Sequence, residues 1–120
     1  MRYLSMYIPD AGRPATPPSK DYMGKMGAFM AESFQSGVLV ATGGLLPISQ
    51  GGVRVRSAGG DITVMDGPFT EAKEVVAGWA ILQVKSKEEV IEVTRKFIQL
   101  AGDGECELRQ IMEAEDVKCA

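Results

Sequence analysis

Two helix-forming segments, each lying between apolar strand-forming segments, constrain the fold of this chain more than any other feature. The first has Ser19 as an N-cap, apolar residues at helical spacing, and a stop at Gly37. The second opens with the capping box Ser86-Lys87-Glu88-Glu89 and ends at Gly102. The order strand, helix, strand therefore occurs twice, which predicts an α+β, ferredoxin-like split β-α-β sandwich.

Apolar runs bounded by glycine, proline and aspartate predict six strands, at 3–8, 38–41, 53–56, 62–64, 75–84 and 106–112. The third and fourth alternate around Ala58-Gly59-Gly60, which is typical of a β-hairpin with Arg54 and Arg56 on its solvated face. The segment 75–84 is apolar on both faces and is predicted to be a central strand. The hairpin is an insertion between the two β-α-β units.

The number of helices predicts a partner for the sheet. Two helices cover only one face of a sheet this wide, so the other face needs a cover, most economically a second copy of the chain. A length of 120 residues fits one domain, 1–120. We therefore predict a single-domain homodimer in which the uncovered sheet faces pack together.

Charge and composition exclude several classes of function. Thirteen Lys+Arg against sixteen Asp+Glu give a net charge of −3, which disfavours direct nucleic-acid binding. The sequence has no histidine, which excludes imidazole bases, and its carboxylates show no metal-ligand spacing, so we predict no metal and no cofactor. Cys106 and Cys119 are the only cysteines, which is too few for a disulfide framework and favours a reducing cytoplasm. No run approaches the roughly 20 apolar residues of a membrane span, so we predict a cytoplasmic protein without a membrane partner.

A polar segment between the hairpin and the central strand carries the most specific motif. Asp66-Gly67-Pro68-Phe69 is followed by Glu71, Lys73-Glu74 and Gly78-Trp79. This run resembles the signature of the YCII-related, DGPF-domain family of small bacterial proteins. Further matching positions are Tyr3, Tyr7, Gly37-Val38-Leu39, Gly44-Leu45, Val53-Arg54-Val55, Glu107-Leu108-Arg109 and Met112-Glu113.

The resemblance implies a ferredoxin-like fold that assembles as a dimeric α/β barrel. Some family members are genetically associated with extracytoplasmic-function sigma factors, and related proteins have been proposed to be enzymes with a His-Asp pair in a cleft. The family histidine falls near Met26 here, a position that helix periodicity assigns to the core. A His-Asp pair is therefore excluded in this chain.

The motif supplies the main candidate site residues. Asp66 precedes Gly-Pro and is either the carboxylate of an Asx-type turn or a partly desolvated general acid or base. Lys73 either belongs to a solvated charge run or pairs with a small anionic ligand.

Three more residues are candidates outside the motif. Arg54, two residues from Arg56, either forms a carboxylate clamp or keeps an exposed strand soluble. Tyr7 and Trp79 either line a ligand cavity or pack between subunits. The methionine stripe at Met23, Met26 and Met30 is interpreted as core packing, although such stripes also suit variable apolar ligands.

These observations favour a homodimeric module that binds a small organic or anionic ligand beside Asp66, in a cleft that also contains Tyr7, Arg54, Lys73 and Trp79, as an accessory to transcriptional signalling. One alternative is an acid–base enzyme, lyase-like or isomerase-like, in which Asp66 carries the proton and Lys73 or Arg54 is its electrostatic partner. Another is a module that only binds other proteins.

Overall fold

The computed structural model describes residues 1–10, 19–67 and 75–116 of the chain. Lys73, the motif residues Pro68 and Phe69, and Cys119 lie outside these ranges. The elements of the described part are β1 (Arg2–Pro9), α1 (Lys20–Gln35), β2 (Leu39–Gly44), β3 (Val53–Ala58), β4 (Asp61–Asp66), β5 (Gly78–Gln83), α2 (Lys87–Ala101), β6 (Gly104–Gln110) and a short 3-10 turn at Ala114–Asp116.

Four strands form an antiparallel sheet in the order β2-β5-β1-β6. This is the strand order of a ferredoxin-like split β-α-β sandwich, so the predicted fold class is confirmed. The strand β5 lies between β1 and β2, as predicted for a central strand, but it spans only Gly78–Gln83 rather than 75–84. Strands β3 and β4 form the inserted hairpin.

Both helices begin at the predicted serine caps. The Ser19 hydroxyl accepts a hydrogen bond from the Tyr22 amide at 3.0 Å, and the Ser86 hydroxyl accepts one from the Glu89 amide at 3.1 Å. The Glu89 carboxylate accepts from the Lys85 amide, one residue before the cap. Gly37 and Gly102 follow the helices with φ of 83° and 96°, in the region that favours glycine.

The helices cover one sheet face, which we call the covered face. Cross-strand pairing places Tyr3, Ser5 and Tyr7 of β1 on it. The buried residues at its centre are Tyr3, Leu39, Leu82, Val84 and Val90. Val90 is the most enclosed of them, with 1% of its surface exposed.

The helix stripes differ in part from the predicted ones. The helical spacing of Phe34 in α1 and of Ile91 in α2 with their apolar neighbours predicts that both face the core, yet 48% of Phe34 and 40% of Ile91 is exposed. Val93 packs against the core instead. Neighbouring helical positions are separated by about 100° around the axis, so a helix that directs Val90 inward turns Ile91 to its flank.

The opposite sheet face, which we call the open face, is covered by no helix. It carries Leu4, Met6 and Ile8 of β1 with Trp79 and Ile81 of β5, because residues paired across antiparallel strands share a face. Beside them on β6 lie Glu105, Glu107 and Arg109. The open face thus has an apolar centre and a charged edge.

The hairpin is exposed along its whole length, from Val53 to Asp66. Val55 pairs with Val64 and Ser57 with Ile62, so one hairpin face is mainly β-branched and apolar. Between 64% and 72% of Val55, Ile62 and Val64 is exposed. The expected alternation of apolar and polar residues is present, but within one chain both faces of the hairpin meet solvent.

The radius of gyration is 17.1 Å, against about 13.6 Å for a compact chain of this length, and the difference reflects this open shape.

Candidate functional site

A cavity of about 360 Å³ lies between the covered face and the two helices. Aromatic and aliphatic side chains dominate its wall, and none of the described lining residues is charged. These residues are Ser5, Tyr7, Phe29, Met30, Ser33, Leu39, Thr42, Gly43, Gly44, Ala77, Gly78, Trp79, Ala80, Leu82, Val93, Thr94 and Phe97. An engineered apolar cavity of about 150 Å³ binds benzene, so this volume is sufficient for a small organic molecule.

Tyr7 lines the cavity and anchors α2. Its hydroxyl lies 3.2 Å from the carbonyl oxygens of both Gly102 and Asp103 and donates its proton to this end of the helix. Its ring meets the Phe97 ring edge-on, with centroids 5.7 Å apart. Carbonyl oxygens at a helix C-terminus lack partners within the helix, so this contact satisfies one of them. Tyr7 therefore fixes one wall of the cavity.

Trp79 is also among the residues that line the cavity, although cross-strand pairing with Met6 puts its side chain on the open face. Gly43 pairs with Trp79, and the indole lies over the backbone of Gly43, where a Cβ would be 2.9 Å from Nε1. Gly43, Gly44 and Gly78 also line the cavity, and they have no side chains that would fill it. The Thr42 hydroxyl donates to the Trp79 carbonyl at 2.8 Å and ties β2 to β5 there. Tyr7 and Trp79 thus both border the cavity, but only Tyr7 has its side chain on the covered face.

Thr94 places a polar atom inside this apolar wall. Its hydroxyl oxygen is buried and has no hydrogen-bond partner among the described residues. A buried hydroxyl without a partner costs about 1–3 kcal/mol. In the sequence Thr94 shares its helical spacing with the apolar residues Val90, Phe97 and Ile98. The signal that could have singled it out is a polar residue within an otherwise apolar helix face.

Cys106 also lies on the covered face, opposite Tyr7 in the β1–β6 pairing. Burial raises the pKa of the Cys106 thiol, and a hydrogen bond with Ser5 opposes this effect in part. The thiol therefore stays protonated at neutral pH.

Arg54 lies in a different place from Tyr7 and Trp79. It lines a second, more open recess of about 440 Å³ with Val75, Val76 and the loop between β2 and β3. Val75 and Val76 follow the motif segment in the chain, so this recess lies near one end of that segment.

Asp66 ends β4, pairs with Val53, and is exposed. It is not among the described residues that line either cavity. The structure therefore brings together Tyr7 and Trp79 but not Arg54 or Asp66, while Lys73 lies outside the described residues. The helical spacing of the cavity residues Phe29, Met30 and Phe97 predicts that they face the core, and this pattern does not distinguish a filled core from a lined cavity.

The model of the YCII-related domain matches residues 1–115. The chain belongs to the YCII-related family. A search of curated proteins found no match.

Two features are absent from the described part of this YCII-related chain. In the described part of the chain, no helix is both long enough and apolar enough to span a membrane. No group of three or more Cys, Asp or Glu side chains within residues 1–10, 19–67 and 75–116 is arranged to hold a metal ion.

Proposed function

We propose that this YCII-related protein is a cytosolic homodimer that binds a small neutral organic molecule in the cavity between its sheet and its helices. The observation that carries the proposal is the lining, which is aromatic and aliphatic, has no charged side chain among the described residues, and includes the edge-to-face pair Tyr7 and Phe97. Small-molecule sites are typically concave and mainly apolar, with a few polar groups.

The same lining argues for a neutral ligand rather than an anionic one. Moving an ionised carboxylate into an apolar site costs several kcal/mol or more unless a cation compensates for it. Arg54 lines the other recess. An anionic ligand beside Arg54 and Lys73 stays a prediction from sequence, as does an accessory role in sigma-factor-linked signalling.

The acid–base enzyme gains no support from the described residues. A general acid or base at Asp66 requires a site that excludes water around the carboxylate. Asp66 is exposed in the single chain and lines neither cavity. The binding function is therefore preferred.

Cavity filling provides the direct test of ligand binding. Met30 faces the cavity from α1, whereas 60% of Met23 on the same helix is exposed. The test ligands are neutral aromatic compounds of one or two rings, measured by thermal shift and equilibrium dialysis. Met30→Trp should remove binding, and the matched variant Met23→Trp should keep it. Equal binding by both variants, or no binding to the wild type, would contradict the proposal.

The open face supports the homodimer. A second copy would bury its apolar centre, and the charged edge is self-complementary because Glu105 and Arg109 lie on the same face of one strand. A two-fold axis that places the β6 strands of two copies antiparallel brings Arg109 of each copy close to Glu105 of the other. The apolar face of the hairpin is a further surface that the second copy is available to cover.

Sedimentation tests the dimer at micromolar concentration. We expect about twice the chain mass of 12.9 kDa. Met6→Glu, in the centre of the open face, should give the monomer mass. Gln35→Glu adds the same charge at the exposed end of α1 and should leave the dimer intact. A wild-type mass near 12.9 kDa would overturn the homodimer but not the cavity.

A further inference from the structure

One face of the β3–β4 hairpin is a continuous apolar surface, which we call the arm face. Alternate residues of a strand, and residues paired across two strands, share a face. By this rule the arm face consists of Val53, Val55, Ile62 and Val64. Between 51% and 72% of each of these side chains is exposed. A contiguous exposed apolar surface indicates an interaction site, whereas single exposed apolar residues do not.

The other face of the hairpin has a different character. Arg54 pairs with Met65 and Arg56 pairs with Thr63 on that side. Charged side chains on an exposed strand keep it soluble, and here both arginines lie on one face only. A two-stranded hairpin is marginally stable in water unless its apolar face is packed on something. The distribution of charge therefore indicates that the arm face is the side that needs a cover.

The hairpin leaves the sheet at the end where β2 stops and β5 starts. The Leu45 amide donates to the Ala77 carbonyl at 2.9 Å, beside the last β2–β5 pair, Gly44 with Gly78. Strands β3 and β4 then form a sheet of their own. Six residues of strand reach about 20 Å. The flat shape of the chain, 48 × 42 × 20 Å, agrees with an arm that projects from the sheet.

The area of the open face indicates what covers the arm face. Four strands about 4.8 Å apart and about six residues long cover roughly 400 Å². A stable interface buries about 800 Å² of each partner, so two open faces alone give a small interface. An arm face of two such strands adds about 200 Å², and the surface that receives the partner's arm adds about as much again. The open faces and the arms together reach the area of a stable dimer.

We propose that the β3–β4 hairpin is a dimerisation arm whose apolar face packs on the second copy of this chain and contributes, with the surface that receives it, about half of the interface. This inference rests on the proposed homodimer and adds the segment that stabilises it. By two-fold symmetry each copy contributes one arm and receives one. The face with Arg54 and Arg56 keeps its contact with water, so the charge of these side chains is not buried on association.

Two neighbouring residues of β4 provide a matched test. Ile62 lies on the arm face and Thr63 on the opposite face, and both are exposed in the single chain. Ile62→Asp and Thr63→Asp introduce the same charge and the same low strand propensity into one strand. Sedimentation equilibrium measures the dissociation constant of the dimer for each variant. Circular dichroism compares each variant with the wild type to establish that it is folded.

We expect Ile62→Asp to weaken the dimer about 100-fold or more, because an apolar contact is lost and a carboxylate is buried once in each copy. Thr63→Asp should change the dissociation constant by less than about 5-fold. Val55→Thr keeps the branched shape that suits a strand and places a hydroxyl in the interface. It should weaken the dimer about 10-fold.

The outcomes separate the arm from the homodimer. If the wild type is a dimer and neither Ile62→Asp nor Val55→Thr weakens it, the arm is wrong and the homodimer stands. If Thr63→Asp weakens the dimer as much as Ile62→Asp does, the effect comes from charge and the assignment to the arm face is wrong. If the wild type has a mass near 12.9 kDa at every concentration, both the homodimer and the arm fail.

Discussion

The four-stranded sheet and the β3–β4 hairpin are built from similar apolar residues but meet different surroundings. Leu82 and Val90 at the covered face are 5% and 1% exposed, whereas Val55 and Ile62 in the hairpin are mostly exposed. The sheet has two helices packed on it, and the hairpin has only its own two strands. The difference teaches that alternation of apolar residues predicts a strand, whereas the burial of that strand depends on which other elements pack on it.

Amide hydrogen exchange, measured at a protein concentration low enough to give monomers, should show the largest contrast between the hairpin and the four-stranded sheet. An isolated two-stranded hairpin is at best marginally stable. We expect amides of β3 and β4 to exchange with opening free energies near zero, and those of β1 and β5 near the global value of about 5–15 kcal/mol. Raising the concentration should increase protection in the hairpin if a second copy covers it. Equal protection of hairpin and sheet in the monomer would break the comparison.

Matched valine truncations provide the next largest effect. Val90→Ala creates a cavity under the helices and should lower the free energy of unfolding by about 2–3 kcal/mol. Val64→Ala removes the same atoms from a residue that is 64% exposed and should change it by less than about 0.5 kcal/mol. Urea unfolding of both variants below the dimerisation concentration measures the difference. Similar losses would show that the hairpin is packed in the monomer.

Glycine substitutions sharpen the comparison at the edge of the sheet. A Cβ at Gly43 would be 2.9 Å from Nε1 of Trp79 and would displace the indole, so Gly43→Ala should cost about 1–3 kcal/mol. At Gly78 the nearest atom is the Gly43 carbonyl oxygen at 3.5 Å, an ordinary contact. Gly78→Ala is the control and should change stability by less than about 0.5 kcal/mol. Trp79 is the only tryptophan of the chain, so its fluorescence should shift in Gly43→Ala alone.

The smallest expected effect is the pH dependence at Cys106. The raised pKa means that the folded protein holds the thiol proton to higher pH than the unfolded chain does. Stability from this group is therefore complete below the ordinary thiol pKa and decreases as the pH rises through it. In a Cys119→Ser background, urea unfolding between pH 7 and 10 should show a steeper loss of stability with Cys106 than with Cys106→Ala. Parallel curves would contradict the burial of the thiol.

Most of the local structure could be predicted from the sequence. Ser19, Ser86, Gly37 and Gly102 determine where the helices begin and end, because caps act through hydrogen bonds and backbone angles within a few residues. The hairpin follows from Ala58-Gly59-Gly60, and both glycines adopt positive φ as such a turn requires.

The candidate site was predicted less completely. Tyr7 and Trp79 were named from their aromatic character, and both border the cavity, although the Trp79 side chain lies on the open face. The buried hydroxyl of Thr94, which has no partner among the described residues, was not predicted, because no sequence pattern reports such an absence. The motif residue Asp66 stood out in the sequence, but it ends an exposed strand away from the cavity lining.

The sequence by itself determined the elements, their order and the ferredoxin-like topology, because capping, periodicity and turn chemistry act between residues close together in the chain. Only the tertiary structure decided that Ile91 turns outward, that the helices and sheet leave an uncharged cavity, and that one hydroxyl on its wall lacks a partner. These features depend on contacts between α1, α2 and β5, which are distant in sequence. Packing of side chains across such distances is set by the shapes of all the elements together.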